Sequence, residues 1–330
     1  MMGIIGKIRH KCEDFYWQKI VKNQYPMLTS ISRNILSKEG AIGIIYMLHH
    51  ITKKNPNGIP TNEDLKVSPQ FLEKIIIKYK KQGFIFVSLD ELSNIISSNT
   101  IPQHPFVAFT IDDGYLDNYT QALPVFERQQ IPFAIFVATD FIDRQAILWW
   151  DILEDLILKN EIIRVDKKEY PCHTFQEKWN TFRIVREEIL HINQIRLKDT
   201  LREKFASYNI DWFEPVRQQA MSWEQLKIIS QHPLCTIGGH TVSHLALNRL
   251  NDNDFHKEVS EGIAKLQRVI DKPIHHFAYP YGSPNEIGER EYRLISEFGF
   301  KTVFSSYGGC ITNNNKHQTT HLPRVYLHEQ

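Results

Sequence analysis

Cysteine is scarce and scattered in this chain: Cys12, Cys172, Cys235 and Cys310 are the only four in 330 residues, and no two form a CxxC pair. That spacing excludes a disulfide framework and a structural zinc knuckle, and it leaves isolated thiols of a reducing compartment. Charge of one sign is missing too. With 39 basic against 38 acidic residues, no global field recruits nucleic acid or anionic lipid, whereas neutral sugars stay open as partners. Long apolar runs are absent, and nothing approaches the roughly 20 residues that span a bilayer. The N-terminus has no apolar core followed by a small-residue cleavage site, so no signal peptide is expected and a cytoplasmic protein is. Internal repeats and low-complexity stretches are also lacking.

What is present describes a folded enzyme-sized chain. The apolar fraction of 42% and aromatic fraction of 12% suffice for a sizeable core, in one large domain or two small ones. Short apolar runs alternate with helix-period segments, the signature of β/α architecture. The strand candidates are Ile42–Met47, Phe84–Ser88, Phe106–Ile111, Phe133–Ala138, Leu234–Gly238, His276–Tyr279, Lys301–Phe304 and Leu322–Tyr326. Most are uniformly apolar, as strands covered on both faces by helices must be. Helix patterns lie between them at Phe71–Lys81, Ile287–Phe298 and Asp252–Ile270, the last with Phe255, Val259, Ile263, Leu266 and Ile270 on one stripe.

Two regions stand apart. Residues 1–40 are expected to form an N-terminal helical segment, in which the spacing would put Ile4, Ile8, Cys12 and Phe15 on one face among Lys7, Arg9, Lys11 and Lys19. Such a helix either packs on its own domain or makes a peripheral membrane contact. From about 149 to 220 no strand is evident, and charged and apolar residues interleave at helical spacing. We read this as a helical insertion within the 41–330 domain, since β/α units of the same character resume after it.

Four short motifs fall at strand ends, where parallel β/α folds gather functional groups. In Phe109–Gly114 an apolar strand stops in two acids and a glycine, Asp112-Asp113-Gly114. Adjacent carboxylates there can divide labour, one binding a metal and the other staying free as a base. The same residues also read as an acidic turn or cap before the next helix. Gly238-Gly239-His240-Thr241-Val242-Ser243-His244 stands at the end of the strand candidate Leu234–Gly238. Histidines at i and i+4 on one helical turn present both imidazoles to one side, and a carboxylate from elsewhere would complete a His2Asp site with an open position. An HxxxH spacing also arises by chance. Thr241 stands where an HExxH peptidase carries its glutamate, so a protease reading lacks its base. Phe277–Gly282 places Pro280 and Gly282 in a rigid turn able to aim a backbone N–H, and Leu322-Pro323-Arg324-Val325 closes the set.

In this order, TIDDG, HTVSH, FAYPYG and LPRV resemble the polysaccharide deacetylases of carbohydrate esterase family 4. Met47-Leu48-His49-His50-Ile51 is similar to the first strand of many members. FAYPYG resembles the subgroup that includes bacterial exopolysaccharide N-deacetylases. The resemblance implies a distorted (β/α) barrel of about seven parallel strands, one divalent metal ion, commonly zinc, and removal of N-acetyl groups from amino sugars of a polysaccharide or glycan precursor. Carried over motif by motif, it implies Asp112 as catalytic base and Asp113, His240 and His244 as metal ligands. It also implies the Tyr281 backbone N–H as an oxyanion donor.

The chain departs from the family pattern at Ala278, where many members have an arginine that orients the base. Arg324 is the nominated substitute. The usual acidic-tryptophan motif has no clear match, Trp149-Trp150-Asp151 being nearest in composition. The Leu-x-His motif that carries the usual general acid is missing, and His49 is nominated instead, with one of His49 and His50 open to a buried structural role. His275 reads as structural or exposed. Aromatics near the motifs (Tyr115, Trp149, Trp150, Trp223, Tyr279 and Tyr281) offer stacking faces for sugar rings, though such residues also serve as core. Two rival functions stay open: a related metal-dependent amidase acting on a small cyclic imide or formamide, and a non-catalytic saccharide-binding relative.

Overall fold

The structure is a computed structural model and describes residues 40–329. The expected N-terminal helical segment, its membrane contact and Cys12 lie outside the described residues. Seven parallel strands close into a barrel: β1 (Ala41–Leu48), β2 (Phe106–Ile111), β3 (Phe133–Val137), β4 (Cys235–Gly239), β5 (His276–Ala278), β6 (Thr302–Gly308) and β7 (Leu322–Tyr326). Each strand neighbours the next in the chain. The ring shuts where β7 pairs with β1, Tyr46 opposite Val325, while β1 pairs along its length with β2, from Gly43 opposite Phe106 to Leu48 opposite Ile111.

The apolar runs explain this closure. All six residues of β2 and all five of β3 are buried, so one face of each fills the barrel and the other meets the helices. The eighth strand candidate, Phe84–Ser88, corrects to a two-residue strand, Ile85–Phe86, which pairs with the outer part of β2 and takes no place in the ring. It is half-exposed, unlike the ring strands β2 and β3, which are buried on both faces.

The region after β3 is mostly helical, with α1 (Trp149–Lys159), α2 (Phe175–Leu190) and α3 (Leu197–Lys204). The expectation that it holds no strand is corrected by an antiparallel hairpin, Ile162–Val165 against Lys168–Pro171. Its buried residues, Ile163, Val165 and Tyr170, alternate with exposed ones, and Asp166 turns the chain at φ 57°. The hairpin and helices share one apolar cluster with Phe277, Tyr279 and Val303 of the barrel wall. Lys178 of α2 donates to the carbonyls of Ile157, Leu158 and Asn160 and so closes the C-terminal end of α1. Glu154 of α1 accepts from Ile59 N at 2.6 Å and Asn62 Nδ2 at 2.5 Å, tying the insertion to the loops after β1.

After β4 comes α4 (Asp252–Ile270), capped by the Asn251 side chain on Asp254 N. Its fully buried residues are Phe255, Val259, Gly262, Leu266 and Ile270, and Ile263, expected on the same stripe, is partly buried and packs against the same core. Among the described residues no helix is long and apolar enough to cross a membrane, and Cys172, Cys235 and Cys310 form no disulfide.

Candidate active site

Every nominated residue but Arg324 lies beyond the C-terminal end of a barrel strand. His49 follows β1, Asp112 and Asp113 follow β2, His240 and His244 follow β4, Tyr281 follows β5, and Arg324 lies within β7. Asp112 N–H still donates to Leu48 O at 2.9 Å, extending the pairing of β1 with β2 by one residue. The chain then reverses. Asp113 has φ 80° and Gly114 φ 96°, and this left-handed pair turns the second carboxylate, which a regular strand would send to the opposite face, toward the same end of the barrel.

Asp113 meets the histidines. Its Oδ1 lies 3.4 Å from His240 Nε2 and 3.3 Å from His244 Nε2, and the three ligand atoms lie within 4.8 Å of one another. His240 Nδ1 is 2.7 Å from the Ala278 carbonyl, which assigns the ring proton to Nδ1 and leaves the Nε2 lone pair facing Asp113. Asp113 is 3% exposed, and its Oδ1 has no hydrogen-bond partner. Burial raises its pKa, but His244, His240 and His49 outweigh that and hold it well below the usual carboxylate range. A buried anionic oxygen facing two imidazole nitrogens, without a hydrogen bond of its own, fits a divalent cation of the zinc type.

The histidines are not on a helical turn as expected. Thr241 and His244 both sit in the left-handed region, at φ 68° and 55°, so the segment is a loop that presents both rings, 5.0 Å apart, by strained backbone. Asp113, Thr241, His244 and Tyr281 are four of the nine non-glycine residues with positive φ among the described residues. That concentration at one site is where strain marks function.

Asp112 is held differently. Arg324 donates from both terminal nitrogens to the two carboxylate oxygens, at 2.7 Å each. The guanidinium also binds Thr110 Oγ1 at 3.0 Å and, through Nε, the Ser305 carbonyl at 2.7 Å. It lies over the rings of Phe136 and Phe304, at 5.7 and 6.0 Å. Ala278 belongs to the same buried cluster as those two rings. A Cβ on Gly238 would come within 2.4 Å of the Phe136 ring, so that ring can sit there only against glycine. Burial raises the Asp112 pKa, but the charges of Arg324 and His240 hold it below its ordinary value, so Asp112 is ionised at neutral pH.

The two neighbouring histidines separate. His50 Nδ1 binds Asp117 at 2.8 Å and its ring packs 3.7 Å from that of Tyr115, so it ties the loop after β1 to the one after β2. His49 stacks on Tyr326 at 5.9 Å, and its buried Nδ1 has no partner. Burial lowers its pKa, against the pull of Asp113 and Asp112. His276 is buried on Thr302, while His275 beside it is half-exposed.

Of the aromatic candidates, Tyr115, Trp149 and Tyr279 are buried, and Trp223 donates to Asp143. Trp150 and Tyr281 stand edge-on to His244, at 5.5 and 4.8 Å. With Phe141, Trp149 and Leu197 they line a small cleft beside that histidine. The insertion therefore supplies one wall of the site through α1 and α3. Asp151, nearest in composition to the missing acidic-tryptophan motif, bonds Gln219 at 3.0 Å, and burial pushes its pKa up to about 6.

Three polar residues went unread in the sequence. Glu258 accepts the N–H groups of Val242 and Ser243, Asp140 accepts from the Ser243 hydroxyl, and Lys198 donates to Asp140. None lies in a motif, and only folding brings them to the HTVSH loop.

A seven-stranded parallel barrel with an Asp-His-His cluster and a separate Arg-bound aspartate at its strand ends defines the class. The family model described as polysaccharide deacetylase matches residues 100–303, well over half of the chain, and the chain belongs to that family. Asp112, Asp113, His240, His244 and Tyr281 fall inside the matched stretch, while His49 and Arg324 fall outside it. The chain is similar in structure to the Streptococcus pyogenes deacetylase PplD in complex with acetate, with TM-score 0.57 and 16% identity over 86% of this chain and 92% of that one. It is similar also to IcaB from Ammonifex degensii, with TM-score 0.55 and 19% identity over 87% and 92%. A third is the BpsB deacetylase domain from Bordetella bronchiseptica, with TM-score 0.52 and 14% identity over 87% and 96%. At such identities the likeness speaks for the fold. No curated protein matches the chain by sequence.

Proposed function

We propose that this chain is a metal-dependent hydrolase that removes N-acetyl groups from amino sugars of a polysaccharide or glycan precursor. One observation carries the reading: two adjacent aspartates are sent to different partners. Asp113 faces His240 and His244, while Asp112 is gripped by Arg324. A structural acidic turn has no need of that separation, and amide hydrolysis has. FAYPYG, as a motif, leans the reading toward the exopolysaccharide subgroup.

Asp113, His240 and His244 would hold a divalent cation, which supplies Lewis-acid polarisation of the acyl oxygen and acidifies a water at the site. Asp112 takes the proton of the attacking water, and Arg324 keeps that carboxylate ionised and aimed. The backbone N–H of Tyr281, in its left-handed turn, is assigned to the developing oxyanion; one such donor is worth ~100–1000-fold in rate. His49, whose pKa burial lowers, is assigned to relay to the departing amine the proton that leaves the attacking water, so that the protons balance. The cleft of Trp150, Leu197 and Tyr281 receives the acyl methyl.

The test is acetate release from N-acetylglucosamine oligomers by the purified chain, together with elemental analysis. Metal near one equivalent and released acetate are expected. Turnover of small cyclic imides without acetate release would replace the substrate class. A chain that takes up no metal and turns over nothing would be a binding relative instead.

A further inference from the structure

The loop from His240 to His244 is held almost entirely from outside. His240 N–H donates to Val137 O at 3.1 Å, and the carbonyls of Thr241 and Val242 accept from Thr139 N at 3.2 Å and Asp140 N at 2.8 Å. Its one internal bond runs from His244 N to Thr241 Oγ1, at 3.0 Å. Two further donors, Val242 N and Ser243 N, converge on a single oxygen, Glu258 Oε2, at 3.2 and 2.8 Å. Successive N–H groups following a left-handed residue form a concavity that suits an anion, and here the anion is a side chain of α4. One turn further along α4, a Cβ on Gly262 would lie 2.9 Å from both the carbonyl carbon and oxygen of Thr241. The helix backbone therefore presses on the same loop at its strained residue.

We propose that Glu258 is a positioning residue for the metal site: it holds the left-handed backbone of the HTVSH loop in place and thereby sets how tightly His240 and His244 bind the cation. The inference rests on the metal reading above. Glu258 touches neither histidine ring; it acts through the amides of Val242 and Ser243. Without it those two donors lose their acceptor, and a loop with φ 68° at Thr241 and 55° at His244 relaxes toward ordinary dihedrals. The rings then lose their shared aim at Asp113.

The test is the zinc dissociation constant of the folded protein, measured by competition with a chelating dye, beside the thermal midpoint. Glu258→Ala is expected to weaken zinc ~10–100-fold, the usual effect of removing an outer partner of a metal ligand. Glu258→Gln keeps an acceptor oxygen and is expected to recover most of that loss. Val259→Ala, which removes buried methyl groups from the same helix, is expected to lower the midpoint and leave zinc affinity unchanged. A merely structural Glu258 predicts the opposite pattern, with Glu258→Ala less stable but at wild-type affinity, and that result overturns the proposal. Should Glu258→Ala not fold, Gly262→Ala crowds Thr241 from the same helix and is expected to weaken zinc; wild-type affinity there also overturns it. If the unmodified chain takes up no zinc, the metal reading falls and this inference with it. If it takes up zinc and the variants match it, only this inference falls.

Discussion

Arg324 binds both carboxylate oxygens of Asp112 at 2.7 Å from a position 212 residues later in the chain, and the two side chains are 0% and 3% exposed. A buried charge pair of this kind costs most when one member is removed, because the other is left without compensation. Arg324→Met is therefore expected to destabilise the fold by ~3–5 kcal/mol. Adding Asp112→Asn should restore part of that loss, since the orphaned charge goes too. Urea unfolding of the two single variants and the double variant measures the coupling. Strictly additive losses would mean that the pair is not energetically linked.

The division of labour between the two aspartates makes opposite predictions for metal and rate. Asp112→Asn should keep bound metal and lower acetate release by ~100–10,000-fold, the range of a general base. Asp113→Asn, His240→Ala and His244→Ala should each lose the metal. Elemental analysis of the four proteins decides the matter; metal vanishing from Asp112→Asn, or full occupancy in either histidine variant, would break the assignment.

The barrel was legible because its strands are buried on both faces and so read as unbroken apolar runs; Phe106–Ile111 and Leu322–Tyr326 have the bounds expected of them. The hairpin at 162–171 was not, since its two-residue alternation is four residues long per strand and carries Arg164, Lys168 and Glu169 among helices. HTVSH reads as helical from spacing alone because nothing in its five residues announces left-handed backbone. Thr241 and His244 adopt it under outside contacts, from Thr139, Asp140 and Glu258. Arg324 could be nominated as a cation, but its fork on Asp112 depends on β7 closing against β1, which no local pattern encodes.

A pH response follows from His276, at the start of β5. It is 1% exposed, and burial lowers its pKa from 6.5 to about 4, with Asp90 opposing and Lys301 assisting. Between those values the unfolded chain binds a proton that the folded chain refuses, so stability falls as pH is lowered across that window and is retained above it. The contribution is at most ~3 kcal/mol. His276→Asn cannot titrate and offers Thr302 a polar partner in place of Nδ1. Its unfolding free energy should fall less between pH 7 and pH 4.5 than that of the unmodified protein; equal losses would remove His276 as a cause.

The cleft beside His244 gives a prediction about acyl size. Leu197, 7% exposed on α3, faces it together with Trp150 and Tyr281. An apolar wall discriminates between acyl groups differing by a methylene by only ~1–3 kcal/mol, so the preference is modest and open to change. Leu197→Ala removes part of the wall contributed by the insertion and leaves Asp112, Asp113, His240 and His244 intact. The ratio of propionate to acetate released from matched N-acylated glucosamine oligomers should rise ~10-fold or more, with metal content unchanged. If both rates fall together, Leu197 supports the fold of the insertion; a changed ratio at constant metal identifies the insertion as the part of this barrel that measures the acyl group.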